Sequence, residues 1–178
     1  MKVFLVVHVT AGMVSFVLAP VALATAKGGK QHRRWGLVYL YAMGLVSCTA
    51  LPMAFLRPVL FLALVSMISA YLAFSGYRVL KLKDLVRGGS AQPVDWLTAC
   101  IAFIASASLV AMGWFRPSAV QRMQVVAIVL GSFGMRGTAS DMWLFLWKPI
   151  EKMFWWYSHL AKFIGSYVAA WTAFRPSL

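Results

Sequence analysis

Long apolar runs alternate with short polar joints along the whole chain, and that alternation predicts helices that cross a bilayer. The first run, Val3 to Ala26, reaches across a hydrocarbon layer of ~30 Å at roughly 1.5 Å per helical residue. Its rival reading is a signal peptide, with Lys2 as the basic start and Ala22-Leu23-Ala24-Thr25-Ala26 as a small-residue cleavage site. The run is longer than a usual signal core, His8 and Ser15 interrupt it, and a basic cluster follows directly, so a retained helix is expected. The joint Lys27-Gly28-Gly29-Lys30-Gln31-His32-Arg33-Arg34-Trp35-Gly36 is basic and broken by glycine, which predicts a tight helical hairpin turning at the cytoplasmic membrane surface.

A second helix is expected from Arg34 to Leu56, and the short Arg57-Pro58 turn sets a third, Val59 to Leu80, antiparallel beside it. Lys81 to Asp95 is polar, basic and interrupted by Gly88-Gly89-Ser90 and Pro93, and reads as a surface loop. A fourth helix is expected over Trp96 to Phe115. Arg116-Pro117-Ser118 then turns into a fifth, Ala119 to Met135, whose start is crowded by Gln121, Arg122 and Gln124. Arg136 to Lys152 reads as a connection, and its apolar run Met142 to Trp147 is too short to span but suits a segment lying in the headgroup region. The last helix, Met153 to Phe174, opens on the aromatic belt Trp155-Trp156-Tyr157.

Composition agrees with the pattern. With 62% apolar residues, 12% charged residues and a mean hydropathy of +0.78, the chain has too little polar surface to cover a soluble globule. The expectation is an all-α integral membrane bundle of six transmembrane helices forming one domain over residues 1–178. A net charge of +13 would suggest nucleic acid in a soluble domain, but here it is read by location, against anionic lipid rather than nucleic acid. Lys27, Lys30, Arg33 and Arg34, then Arg78, Lys81, Lys83 and Arg87, then Arg136, Lys148 and Lys152 fall on one side; the other holds Lys2, Arg57, Arg116, Arg122 and Arg175. Eleven against five places the basic loops in the cytoplasm and both termini outside. A membrane partner subunit or a second copy of the chain is compatible with such a surface.

The four acids, Asp84, Asp95, Asp141 and Glu151, fall in or beside the expected cytoplasmic loops, which leaves no carboxylate for an intramembrane proton relay or a dinuclear metal hydrolase. Cys48 and Cys100 lie within apolar runs at different expected depths and read as buried small hydrophobes, not a disulfide. Chemistry inside the membrane is left to His8, His32, His159, Lys162 and several tyrosines. At helical spacing the histidines share faces with small or weakly polar residues: His8 with Gly12, Ser15 and Ala19; His32 with Gly36, Tyr39 and Met43; His159 with Phe163, Ser166 and Ala170. Such faces are expected to meet other helices.

Two functions fit these faces. Neutral imidazole is a common metal ligand, and a glycine one turn away removes the Cβ that would strike a porphyrin, so haem b, another metal or a quinone is the first expectation. His32 and His159, both in the cytoplasmic half, are the pair able to share a ligand, with Gly36 beside the ring and Arg33, Lys162, Lys30 and Arg34 placed to meet propionates; His8, in the outer half, is a separate metal-ligand candidate. The alternative is a non-enzymatic membrane subunit or lipid-binding protein whose histidines only make interhelical hydrogen bonds. No residue is assigned a catalytic role.

The spaced combination His8-x3-Gly12, Lys27-Gly28-x3-His32-Arg33-x2-Gly36, Met43, Ser75-Gly76-Tyr77-Arg78 and His159-x6-Ser166-Tyr167-x-Ala169-Ala170-x-Thr172-Ala173-Phe174 resembles a bacterial family of small multi-pass membrane proteins of unknown function. The resemblance covers nearly the whole chain. It implies a multi-pass location in the bacterial cytoplasmic (inner) membrane and adds weight to His8, His32, Arg33 and His159. Lys162 and Phe163 depart from the family pattern, where an uncharged residue and often methionine is expected. A looser similarity is to the six-helix transmembrane b-type cytochromes, which place two histidine pairs on four central helices; three histidines here allow at most one bis-histidine haem.

Overall fold

The computed structural model describes residues 2–56, 60–115, 121–147 and 149–174. They form α1 (Lys2–Ala24), α2 (Lys30–Leu56), α3 (Leu60–Arg78), two 3-10 turns (Val79–Lys81 and Lys83–Arg87), α4 (Pro93–Phe115), α5 (Gln121–Leu146) and α6 (Phe154–Phe174). No strand occurs among the described residues. Among the described residues four segments are long and apolar enough to cross a membrane: Lys2–Ala24, Lys30–Ala54, Leu60–Lys81 and Pro93–Phe115. The turns expected at Arg57-Pro58 and Arg116-Pro117-Ser118 lie outside the described residues, as does the expected fifth-helix start at Ala119.

The chain divides into two compact units, Met1–Ala73 with Gly165–Leu178, and Phe74–Ile164. In the first, α1 and α2 pair as a hairpin. Gly28 supplies the left-handed turn at φ 78°, and the amide of Gly29 donates to Ala26 O. On α1 the buried positions Ala11, Ser15, Ala19 and Ala22 form one helical stripe, and the Ser15 hydroxyl is satisfied by its own Ala11 carbonyl at 2.9 Å. The Ser47 hydroxyl donates to Ser66 O at 2.6 Å and ties α2 to α3.

In the second unit, α4 and α5 pack against each other at two glycines. A Cβ on Gly131 would come within 2.7 Å of Ser106 O and Val110 Cγ2, and one on Gly113 within 2.9 Å of Gln124 O. The segment expected as a surface loop after Leu80 is organised instead. Val79, Leu82 and Leu85 turn inward onto Phe154, with Val86, Leu144, Phe145 and Trp155 packed around them, and the Gly88 αL cap (φ 97°) closes the second 3-10 turn. Gln92 caps α4: its amide donates to Asp95 Oδ2 at 2.9 Å, three residues into the helix, with Pro93 at the first helical position.

Two expectations need correction. Residues from Arg136 onward do not form a connection with a separate interfacial run, because α5 continues unbroken to Leu146. Thr138 stays helical by donating to Gly134 O at 2.9 Å, and Asp141 finds a cation on α6. Cys48 and Cys100, expected to be buried, are both exposed free thiols on helix surfaces.

Candidate functional site

Each histidine is fixed through the same ring nitrogen. His8 Nδ1 lies 3.0 Å from Val46 O and 3.0 Å from Thr49 Oγ1, joining α1 to α2. His32 Nδ1 lies 2.9 Å from Ala22 O, and His159 Nδ1 lies 2.8 Å from Gly76 O. A carbonyl oxygen only accepts, so Nδ1 carries a proton in all three. A main-chain carbonyl on Nδ1–H is the arrangement that orients a metal-ligating imidazole.

Two of these contacts also complete the backbone. Ala22 lies in the last turn of α1 and Gly76 in the last turn of α3, where carbonyls have no intrahelical donor. Ala22 O also receives the Thr25 amide at 3.3 Å and the Thr25 hydroxyl at 2.7 Å, while Lys27 Nζ reaches Leu23 O. Donors from His32 and Lys27 thus gather at the negative end of the α1 dipole.

The neighbouring faces differ from one histidine to the next. A Cβ built at Gly12, one turn from His8, or at Gly36, one turn from His32, would meet nothing within 4 Å. These glycines therefore do not serve helix contact, contrary to the expectation for small residues on a histidine face. At His159 the equivalent position is Phe163, whose ring stands 4.8 Å from the imidazole and fills the space at Gly76, where a Cβ would be 2.8 Å from Phe163 Cδ2. Further along the same faces the residues do turn inward. The Tyr39 hydroxyl lies 2.9 Å from Ser166 Oγ, which itself donates to Ser69 O at 2.8 Å, so Tyr39 is the donor to Ser166 in a buried chain joining α2, α6 and α3.

His8, His32, Arg33 and Gly36 belong to the first unit and His159 and Lys162 to the second. Arg33 Nε donates to Gly28 O at 3.0 Å, and Arg34 stands over the Trp35 ring. Lys162 Nζ is engaged by Asp141 Oδ1 at 2.6 Å, with the two side chains 12% and 6% exposed. Arg78 and Asp95 form a second buried pair: Arg78 grips both Asp95 oxygens at 2.7 and 2.8 Å while also donating to Gln92 Oε1 at 2.9 Å. Asp95 and Asp141 are thus helical and almost fully buried, where the sequence reading had no carboxylate within a helix. The signal for Asp141 was Lys162 itself, since a lysine in an apolar helix requires a counter-charge. Among the described residues no three histidine, cysteine or acidic side chains gather into a metal-binding group, so a metal bound through these histidines would rely on one or two imidazoles.

No protein-family model, no curated protein and no solved structure matches the chain.

Proposed function

We propose that the chain is a six-span protein of the bacterial cytoplasmic membrane, with both termini outside and its basic loops inside, that binds haem b through histidine and takes part in electron transfer. The observation that carries the reading is the pairing of a Nδ1-anchored imidazole with a sterically open glycine one turn away, at His32–Gly36 and again at His8–Gly12. An imidazole held at Nδ1 would suit a metal ligand. Arg33, Lys30 and Arg34, at the start of α2, suit propionates, whereas Lys162 is already held by Asp141. Bound haem would supply one-electron chemistry; the protein's own share is to fix the ring through Ala22 O and leave room beside it.

An absorption spectrum of the protein purified from membranes tests this. A Soret band with near-stoichiometric iron is expected, lost on replacing the ligating histidine; single His8→Ala, His32→Ala and His159→Ala variants identify which one. A preparation without Soret band, iron or copper overturns it. The second reading, a non-enzymatic membrane subunit or lipid-binding protein with structural histidines, draws on His32 and His159 closing the ends of α1 and α3. It expects loss of stability from these variants and no cofactor in the parent.

The topology rests on the excess of basic residues on one set of loops and the Trp155–Tyr157 belt beside them. In a Cys48→Ala/Cys100→Ala background, an impermeant thiol reagent on intact cells should modify a cysteine introduced at Ser177 and spare one at Ser90. The opposite pattern reverses the orientation.

A further inference from the structure

We propose that the turn over Val79–Arg87, with the end of α5 and the start of α6, is a platform for the phosphate of an anionic phospholipid. The inference is independent of the histidine reading and concerns the second unit alone. The turn is amphipathic in three dimensions: Val79, Leu82 and Leu85 are buried against Phe154, while Lys81, Lys83 and Arg87 all point outward. Two of these cations rest on aromatic faces, Lys83 Nζ 3.9 Å from the Trp155 ring centroid and Lys81 Nζ 5.3 Å from that of Tyr77. Among the described residues neither lysine makes an ion pair: the exposed acids Asp84, in the same turn, and Glu151, before α6, form none with them, and the buried acids Asp95 and Asp141 are held by Arg78 and Lys162.

The occupant is set by what flanks the cations. Leu144 and Phe145 of α5 pack on the same apolar cluster, and either side of them Trp143 and Trp147 stack at 5.5 Å with 65% and 60% of their surface exposed. Trp155, the indole beneath Lys83, and the exposed Trp156 and Tyr157 that follow it suit the boundary between headgroup and acyl chain, and a basic side chain resting on that belt suits a phosphate at the same depth. A soluble anion would use the lysines but not the indoles, so the ligand is a lipid and not free phosphate.

The test uses the full chain in nanodiscs of phosphatidylcholine with a minor fraction of phosphatidylglycerol, with the lipid retained by the purified protein measured by mass spectrometry. The parent should enrich phosphatidylglycerol, and Lys81→Gln/Lys83→Gln should lower that enrichment by about thirtyfold, the worth of two basic side chains at an anionic surface. Lys81→Arg/Lys83→Arg, which keeps the charge, should retain it, and so separates lost binding from lost folding. Unchanged enrichment in the glutamine variant overturns the proposal. So does an equal loss from Lys27→Gln/Lys30→Gln, which would assign the effect to overall charge. Displacement of the lipid by soluble glycerol phosphate at comparable concentration would overturn the choice of a lipid.

Discussion

Replacing Lys162 by methionine removes the cation that faces Asp141 while keeping a long apolar stem on α6. The pair is 2.6 Å apart with side-chain exposures of 12% and 6%, so water screens it little. Stripping one partner from a buried pair costs about 3–5 kcal/mol, because the remaining charge stays desolvated. The slight exposure of Lys162 places the expected loss near the lower end, about 3 kcal/mol. Removing both charges together has a different outcome: Asp141→Asn/Lys162→Met leaves no buried ion and should fall within about 1 kcal/mol of the parent. The two single losses are therefore strongly non-additive, and a double-mutant cycle measures the coupling. Unfolding of the micelle-solubilised protein, followed by far-ultraviolet circular dichroism, gives the four stabilities. A Lys162→Met protein as stable as the parent, or single losses that simply sum in the double variant, would refute the view that charge pairing holds α5 to α6 here.

Glycines with similar sequence surroundings should separate sharply: Gly131→Ala drives its methyl into Ser106 O and Val110 and costs about 1–3 kcal/mol by overpacking, whereas Gly36→Ala meets nothing and gains up to about 1 kcal/mol of helix propensity. If the haem reading holds, a bulkier Gly36→Leu instead weakens the Soret band in an otherwise folded protein, as the same thermal and spectral scans will report. Ser166→Ala removes both the acceptor for Tyr39 and the donor to Ser69 O in a fully buried position, and should lower the unfolding free energy by about 1–3 kcal/mol; parent-like stability would show that the chain contributes nothing. Arg78→Lys keeps the charge but loses the fork that meets both Asp95 oxygens and Gln92, and should destabilise by roughly 1–2 kcal/mol in the same assay despite its conservative appearance.

The alternation of apolar runs and basic joints was sufficient for the helical class, for the hairpin at Gly28-Gly29, and for the limits of α1, α2 and α6 to within a few residues. Those features depend on local causes: length against bilayer thickness, glycine at positive φ, and an unbroken apolar run. The histidines were also legible as unusual residues on small-residue faces. Their bonding was not, since a face states which residues are neighbours along a helix and is silent about which carbonyl another helix leaves unsatisfied. The acceptors are Ala22 O and Gly76 O near the ends of α1 and α3, and only the meeting of those helix ends with His32 and His159 places a carbonyl on Nδ1 of each ring. The same limit explains α5. Arg136 and Asp141 look like a break in an apolar pattern, and hydropathy charges each polar side chain as if it faced lipid alone. Across the helix Lys162 meets Asp141, so the polar residues become reasons for α5 to continue and pack, a pairing that exists only once α5 and α6 lie side by side.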